Sequence, residues 1–81
     1  VKIKRTCEAC PSQVEIERDD GEFVYARYRH GLFAFGVGAT IDEAWHESFQ
    51  SPALRITDED DGFMTTSLML GLLEHFDVID L

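Results

Sequence analysis

Two turns fix the register of the first half of this chain, and both place the same residues on one face. Val14 to Arg18 alternates apolar with charged side chains, Asp19-Asp20-Gly21 follows, and Glu22 to Arg29 alternates again. This is the pattern of two half-buried antiparallel strands. A three-residue loop suits the junction: a type I turn over Asp19-Asp20, with Gly21 at the left-handed bulge position. That loop sets Ile16 opposite Val24 and Val14 opposite Ala26. His30-Gly31 is a two-residue turn into Leu32 to Val37, and it sets Tyr28 opposite Phe33, Ala26 opposite Phe35 and Val24 opposite Val37. Val14, Ile16, Val24, Ala26, Tyr28, Phe33, Phe35 and Val37 therefore share a face. A slip of one residue in either hairpin would destroy the agreement, because strand side chains alternate with period two.

That apolar face needs a cover, and the next segment reads as one. Thr40-Ile41-Asp42-Glu43 is a capping box. Ile41, Ala44, Trp45, Ser48 and Phe49 recur at helical spacing with acids opposite, so Trp45 is expected to lie on the sheet. Pro52 ends the helix. Leu54 to Thr57 reads as a short fourth strand and Asp58 to Gly62 as an acidic turn. After Thr65-Thr66, the spacing of Leu68, Met69, Leu72, Leu73 and Phe76 predicts a second helix despite Gly71, with residues 77–81 extending as a strand or fraying. The expectation is one α+β domain over residues 1–81: a three- to four-stranded antiparallel meander with two helices packed mainly on one face. At 81 residues the core is modest. Chains of this size bury only about 60–65% of the surface that their unfolded state exposes.

Charge is placed unevenly. Residues 1–40 hold six acids and six bases, whereas residues 41–81 hold ten acids and one base, Arg55, so the net charge of −9 belongs to the second half. Such a surface repels nucleic acid and anionic membranes and attracts a basic partner or cations. No apolar run approaches the ~20 residues of a membrane span. No apolar stretch follows the charged Val1-Lys2-Ile3-Lys4-Arg5 either, so a cytoplasmic location is expected.

Cys7-Glu8-Ala9-Cys10 is the most conspicuous local motif. Cys-x-x-Cys turns two thiolates toward one ion and is half of a zinc knuckle. His30, His46, His75 or a second subunit would have to complete the site, and two reduced cysteines or an adventitious disulfide are the alternative. Asp58 to Gly62 does not fit a calcium loop: with Gly62 at the sixth position, Thr57 and Leu68 would stand where carboxylate ligands belong. Tyr25, Arg27 and Arg29, with Phe23, alternate on the strand face opposite the apolar one. They could hold an anionic small molecule such as a nucleotide by bidentate bonding and stacking, or form cross-strand ion pairs with Glu15 and Glu17. No nucleophile stands beside a base, and Gly36-x-Gly38 lacks the rest of a phosphate loop, so no enzyme is expected.

Two resemblances add to this reading. Residues 7–13 (CEACPSQ), Asp20-Gly21, Tyr25-Ala26-Arg27-Tyr28-Arg29 with Gly31, and residues 61–66 (DGFMTT) resemble a set of short proteins of actinobacteria and their phages, over most of the chain. His30 stands where that pattern has tryptophan. The likeness implies a phage or mobile-element setting. Over residues 14–50, Asp20-Gly21-x-Phe23 and then Gly36-x-Gly38-x-Thr40-x-Asp42-Glu43-Ala44 resemble the HicB-type antitoxin domain. That family implies a small sheet covered by a helix and a protein partner, often with a DNA-binding tail. The acidic second half here is unsuited to DNA.

The leading functional expectation is a non-enzymatic binding protein, a phage-type modulator or inhibitor of a host protein. It would engage a basic partner through acids that include Glu59, Asp60 and Asp61. The alternatives are a nucleotide-like ligand on the Tyr25, Arg27 and Arg29 face and a small zinc-binding protein using Cys7 and Cys10. A homodimer is compatible with each.

Overall fold

The computed structural model describes residues 2–7, 12–57 and 63–80. Five antiparallel strands follow one another across the sheet: β1 (Lys2–Cys7), β2 (Ser12–Glu17), β3 (Phe23–Arg29), β4 (Leu32–Gly38) and β5 (Leu54–Arg55). Helix α1 (Ile41–Gln50) precedes β5 and helix α2 (Thr66–His75) follows it. The fold is α+β with meander strand order. None of the described helices is long and apolar enough to cross a membrane.

Both central hairpins adopt the expected register, with Ile16 opposite Val24, Val14 opposite Ala26, and Tyr28 opposite Phe33. Gly21 takes φ +86°, and the Arg18 amide donates to the Glu22 carbonyl at 2.8 Å across the first turn. His30 (φ 55°) and Gly31 (φ 75°) are both left-handed, the twist-matched geometry of a two-residue hairpin turn. The edge strand β1 was not expected. Its alternation of Lys2, Ile3 and Lys4 pairs Ile3 with Ile16 and Arg5 with Val14. A bulge between Arg5 and Cys7 then shifts the register by one, so Cys7 lies opposite Gln13.

The two helices do not share a face. On β4, Phe33, Phe35 and Val37 point to one side and Ala34, Gly36 and Gly38 to the other. The glycine side admits a helix backbone at close range: a β-carbon on Gly36 would collide with the Ala44 carbonyl and the Ser48 amide, and one on Gly38 would lie 2.6 Å from Glu43 Cβ. Helix α1 therefore settles on the small-residue side through Ala44 and Ser48, both buried. The large residues of β4 forbid so close an approach on their own side. That side is covered by α2 instead, where Met69 and Leu73 join Val14, Ile16, Val24, Ala26, Tyr28 and Phe33 in the core.

The entry to α2 is pinned from the sheet. Arg5 Nη2 donates to the Met64 carbonyl at 2.7 Å and Nη1 to Thr66 Oγ1 at 3.1 Å, while Ser12 Oγ accepts from the Met64 amide at 2.9 Å. At the exit, Asp77 takes φ 60°, and the Val78 amide donates to the Leu73 carbonyl at 2.9 Å, a Schellman ending. The chain thereby turns back and buries Val78 and Ile79 in the core. Over the described residues 77–80 the tail forms no strand and instead packs back through Val78 and Ile79.

Candidate functional site

Helix α1 begins at Thr40, whose Oγ1 accepts from the Glu43 amide at 3.1 Å. Glu43 returns the contact one residue further back than a standard box, accepting from the Ala39 amide at 2.9 Å. Because the helix rests on the sheet through Ala44 and Ser48, the larger members of its apolar stripe are displaced to its flank. Trp45 remains 42% exposed and Phe49 49% exposed. Trp45 was expected to pack on the apolar face of the sheet; α1 lies on the opposite face, and Trp45 stands half-exposed at its flank.

The flank has internal order. The Trp45 and Phe49 rings meet edge to face with centroids 4.7 Å apart. The Arg27 guanidinium lies 3.8 Å from the Phe49 ring centre, within cation–π range. Tyr25 is nearly buried and lines the same cleft as Trp45. Burial pushes the Tyr25 phenol above its ordinary value of 10.0, Arg27 opposes that shift and Glu15 reinforces it.

Beside Trp45 the sheet is left uncovered. A cleft of about 320 Å³ is lined by Glu15, Tyr25, Ile41, Asp42 and Trp45. Through Glu15 and Ile41 it continues into a second hollow bounded by Lys2, Lys4, Glu17 and Phe23. Asp42, Glu43 and Glu47 are exposed on the same helix. The arrangement is an aromatic centre with carboxylates on the Trp45 side and the Arg27 guanidinium on the Phe49 side.

The residues singled out from the sequence do not all assemble here. Tyr25, Arg27 and Arg29 were expected to form one open face, but α1 covers part of it and divides them. Tyr25 belongs to the Trp45 cleft, whereas Arg27 and Arg29 line a separate hollow with His30, Leu32, Ala34 and Ala53. The alternative of cross-strand ion pairs also fails on register. Glu15 lies opposite Tyr25 and Glu17 opposite Phe23, while Arg27 lies opposite Gln13. Cys7 is half-buried at the end of β1, while Cys10 and the acidic residues Glu59, Asp60 and Asp61 lie outside the described residues. Among the described residues no three of His, Cys, Asp and Glu are grouped to hold a metal. His30 is in the β3–β4 turn, His46 sits beside Trp45 on α1, and His75 ends α2.

Sequence reasoning missed the exposure of Trp45 and Phe49. The signal was present in β4, where Ala34, Gly36 and Gly38 alternate with large residues and mark the side on which a helix can lie close. No family model, no curated protein and no solved structure matches this chain.

Proposed function

We propose that this chain is a protein-binding module, a modulator or inhibitor that engages a basic partner through the flank of α1. Trp45 and Phe49 form the centre of the contact, and Asp42, Glu43, Glu47 and Glu15 form its rim. The observation that carries this reading is the side-by-side exposure of Trp45 and Phe49, at 42% and 49%, on a helix that packs through smaller residues. Aromatic residues dominate the energetics of protein interfaces when a partner excludes water from them. The surrounding carboxylates favour a basic partner and raise its association rate. A lysine or arginine side chain fits the cleft between Glu15 and Asp42, with its charge against the Trp45 ring.

The test is affinity capture with the wild-type chain, with a Trp45→Ala/Phe49→Ala double variant and with Leu68→Ala, which truncates an exposed side chain on α2. The basic protein retained by wild type and by Leu68→Ala should be lost from the double variant and should elute as salt is raised. Circular dichroism checks that each variant is folded. Retention of the same protein by a folded double variant, or binding indifferent to salt, would overturn the proposal.

A further inference from the structure

We infer a second binding site, which adjoins the partner-binding surface at Phe49 but is tested apart from it: the hollow at the end of β3 binds the phosphate group of a small anionic ligand through Arg27 and Arg29. Among the described residues the hollow is lined by Arg27, Arg29, His30, Leu32, Ala34 and Ala53, none of them a carboxylate. In a chain with sixteen acids and seven lysines and arginines, this is an unusual local balance. The other basic side chains are differently placed. Arg18 pairs with Asp20, Arg55 Nη1 donates to the Thr57 carbonyl at 3.0 Å, and Arg5 holds the entry to α2. Lys2 and Lys4 stand opposite Glu17 and Glu15. Arg27 faces Gln13 instead, and Arg29 pairs with Leu32 across the hairpin. Among the described residues, no acid stands directly opposite Arg27 or Arg29 across the sheet.

Both arginines are also held in place before any ligand arrives. The Arg27 guanidinium lies over the Phe49 ring, 3.8 Å from its centre, which restrains it. Arg29 Nε donates to His30 Nε2 at 3.0 Å, which restrains the guanidinium through one donor and leaves the Nη groups as further donors. Paired N–H donors on a planar fork match the oxygens of a phosphate group, and holding them beforehand lowers the ordering cost of binding. The volume, about 190 Å³, is below that of pockets which enclose whole drug-sized ligands. The hollow accommodates the phosphate head and leaves the remainder of the ligand outside, so the sheet-face nucleotide site expected from the sequence contracts to a head-group site.

The test is an NMR titration of the full chain at constant ionic strength, following the arginine Nε–H signals. The probes are inorganic phosphate, phenyl phosphate and chloride. Saturable shifts at Arg27 and Arg29 with either phosphate probe, and none with chloride, are expected. Arg29→Gln should weaken binding about ten-fold or more, as should Arg27→Gln, while Arg55→Gln should leave it unchanged. Equal affinity for both phosphate probes identifies free phosphate as a sufficient ligand; preference for the ester identifies the head group of a larger molecule. Shifts that fail to saturate, that chloride reproduces, or that persist unchanged in the exposed-site variant Arg29→Gln would overturn the proposal. Partner capture by α1 does not enter this readout, so the two proposals fail separately.

Discussion

Gly36 lies directly beneath the Ala44–Ser48 turn of α1, with no room for a side chain between the strand and the helix backbone. Gly36→Ala must therefore push α1 off the sheet. The atoms in the way belong to the backbone, so they cannot swing aside as a flexible side chain would. The expected cost is about 2–3 kcal/mol, a large part of the stability of so small a domain. Gly71 is the opposite case: it lies within α2, and a β-carbon there would meet nothing within 4 Å. Gly71→Ala should stabilise by about 0.5–1 kcal/mol through helix propensity alone. Denaturant unfolding of the two variants checks both signs. Equal effects would mean that α1 does not sit against β4 as described.

The two aromatic positions most easily confused from sequence should also separate in stability. Phe33 is 1% exposed within the core beneath α2, and Phe33→Ala should cost about 3–5 kcal/mol. Trp45 is 42% exposed at the flank of α1, and Trp45→Ala should cost only about 1–2 kcal/mol for the area it does cover. Thermal unfolding of the single variants decides this. A Trp45→Ala variant as unstable as Phe33→Ala would place the indole inside the fold and remove it from the proposed interface.

Ser12 and Met64 are coupled across 52 residues by a buried hydrogen bond from the Met64 amide to the Ser12 hydroxyl. Ser12 itself is fully buried at the start of β2. Ser12→Ala leaves a backbone donor without its acceptor in a place water does not reach, which costs about 1–3 kcal/mol. Hydrogen exchange at the Met64 amide should accelerate more than exchange at Val24, in the centre of the sheet. Uniform acceleration would show that the bond does not specifically hold the entry to α2.

The sheet register was legible because two independent turns, at Gly21 and at His30-Gly31, imposed the same alternation on β2, β3 and β4. The side taken by α1 was not, since its stripe of Ile41, Ala44, Trp45, Ser48 and Phe49 is apolar enough to suit either face. The decision rests on volume at β4, where Gly36 and Gly38 accept a close backbone that Phe35 and Val37 exclude. Strand β1 was obscured because its alternating residues are lysines beside Ile3, and an edge strand needs only one apolar contact per turn of the pattern. The candidate site inherits both errors. Tyr25, Arg27 and Arg29 alternate correctly on one face, yet the position of α1 decides which of them remain together.

Tyr25 and Trp45 link the fold to the proposed interface, and their coupling is measurable through pH. Burial raises the Tyr25 phenol above 10.0, with Arg27 lowering it and Glu15 raising it further. In the unfolded chain a tyrosine ionises near pH ~10, whereas in the folded chain Tyr25 keeps its proton to higher pH. Below that point both states are protonated and this residue makes no pH-dependent contribution. Above it the unfolded state binds fewer protons, so folding stability falls as pH rises toward the folded value. Tyr25→Phe should flatten that alkaline fall, with Tyr28 common to both proteins. The causes can be separated as well. Arg27→Gln removes the opposing charge and should move the Tyr25 titration higher, while Glu15→Gln should move it lower. Absorbance titration of the phenolate, taken as the difference from Tyr25→Phe, reads these shifts directly, and emission from Trp45, the single tryptophan of the chain, reports whether the phenol beside it in the cleft has ionised. A Tyr25 titration at the ordinary value, unmoved by either variant, would mean that α1 leaves the phenol open to solvent and that the cleft beside Trp45 is not built as described.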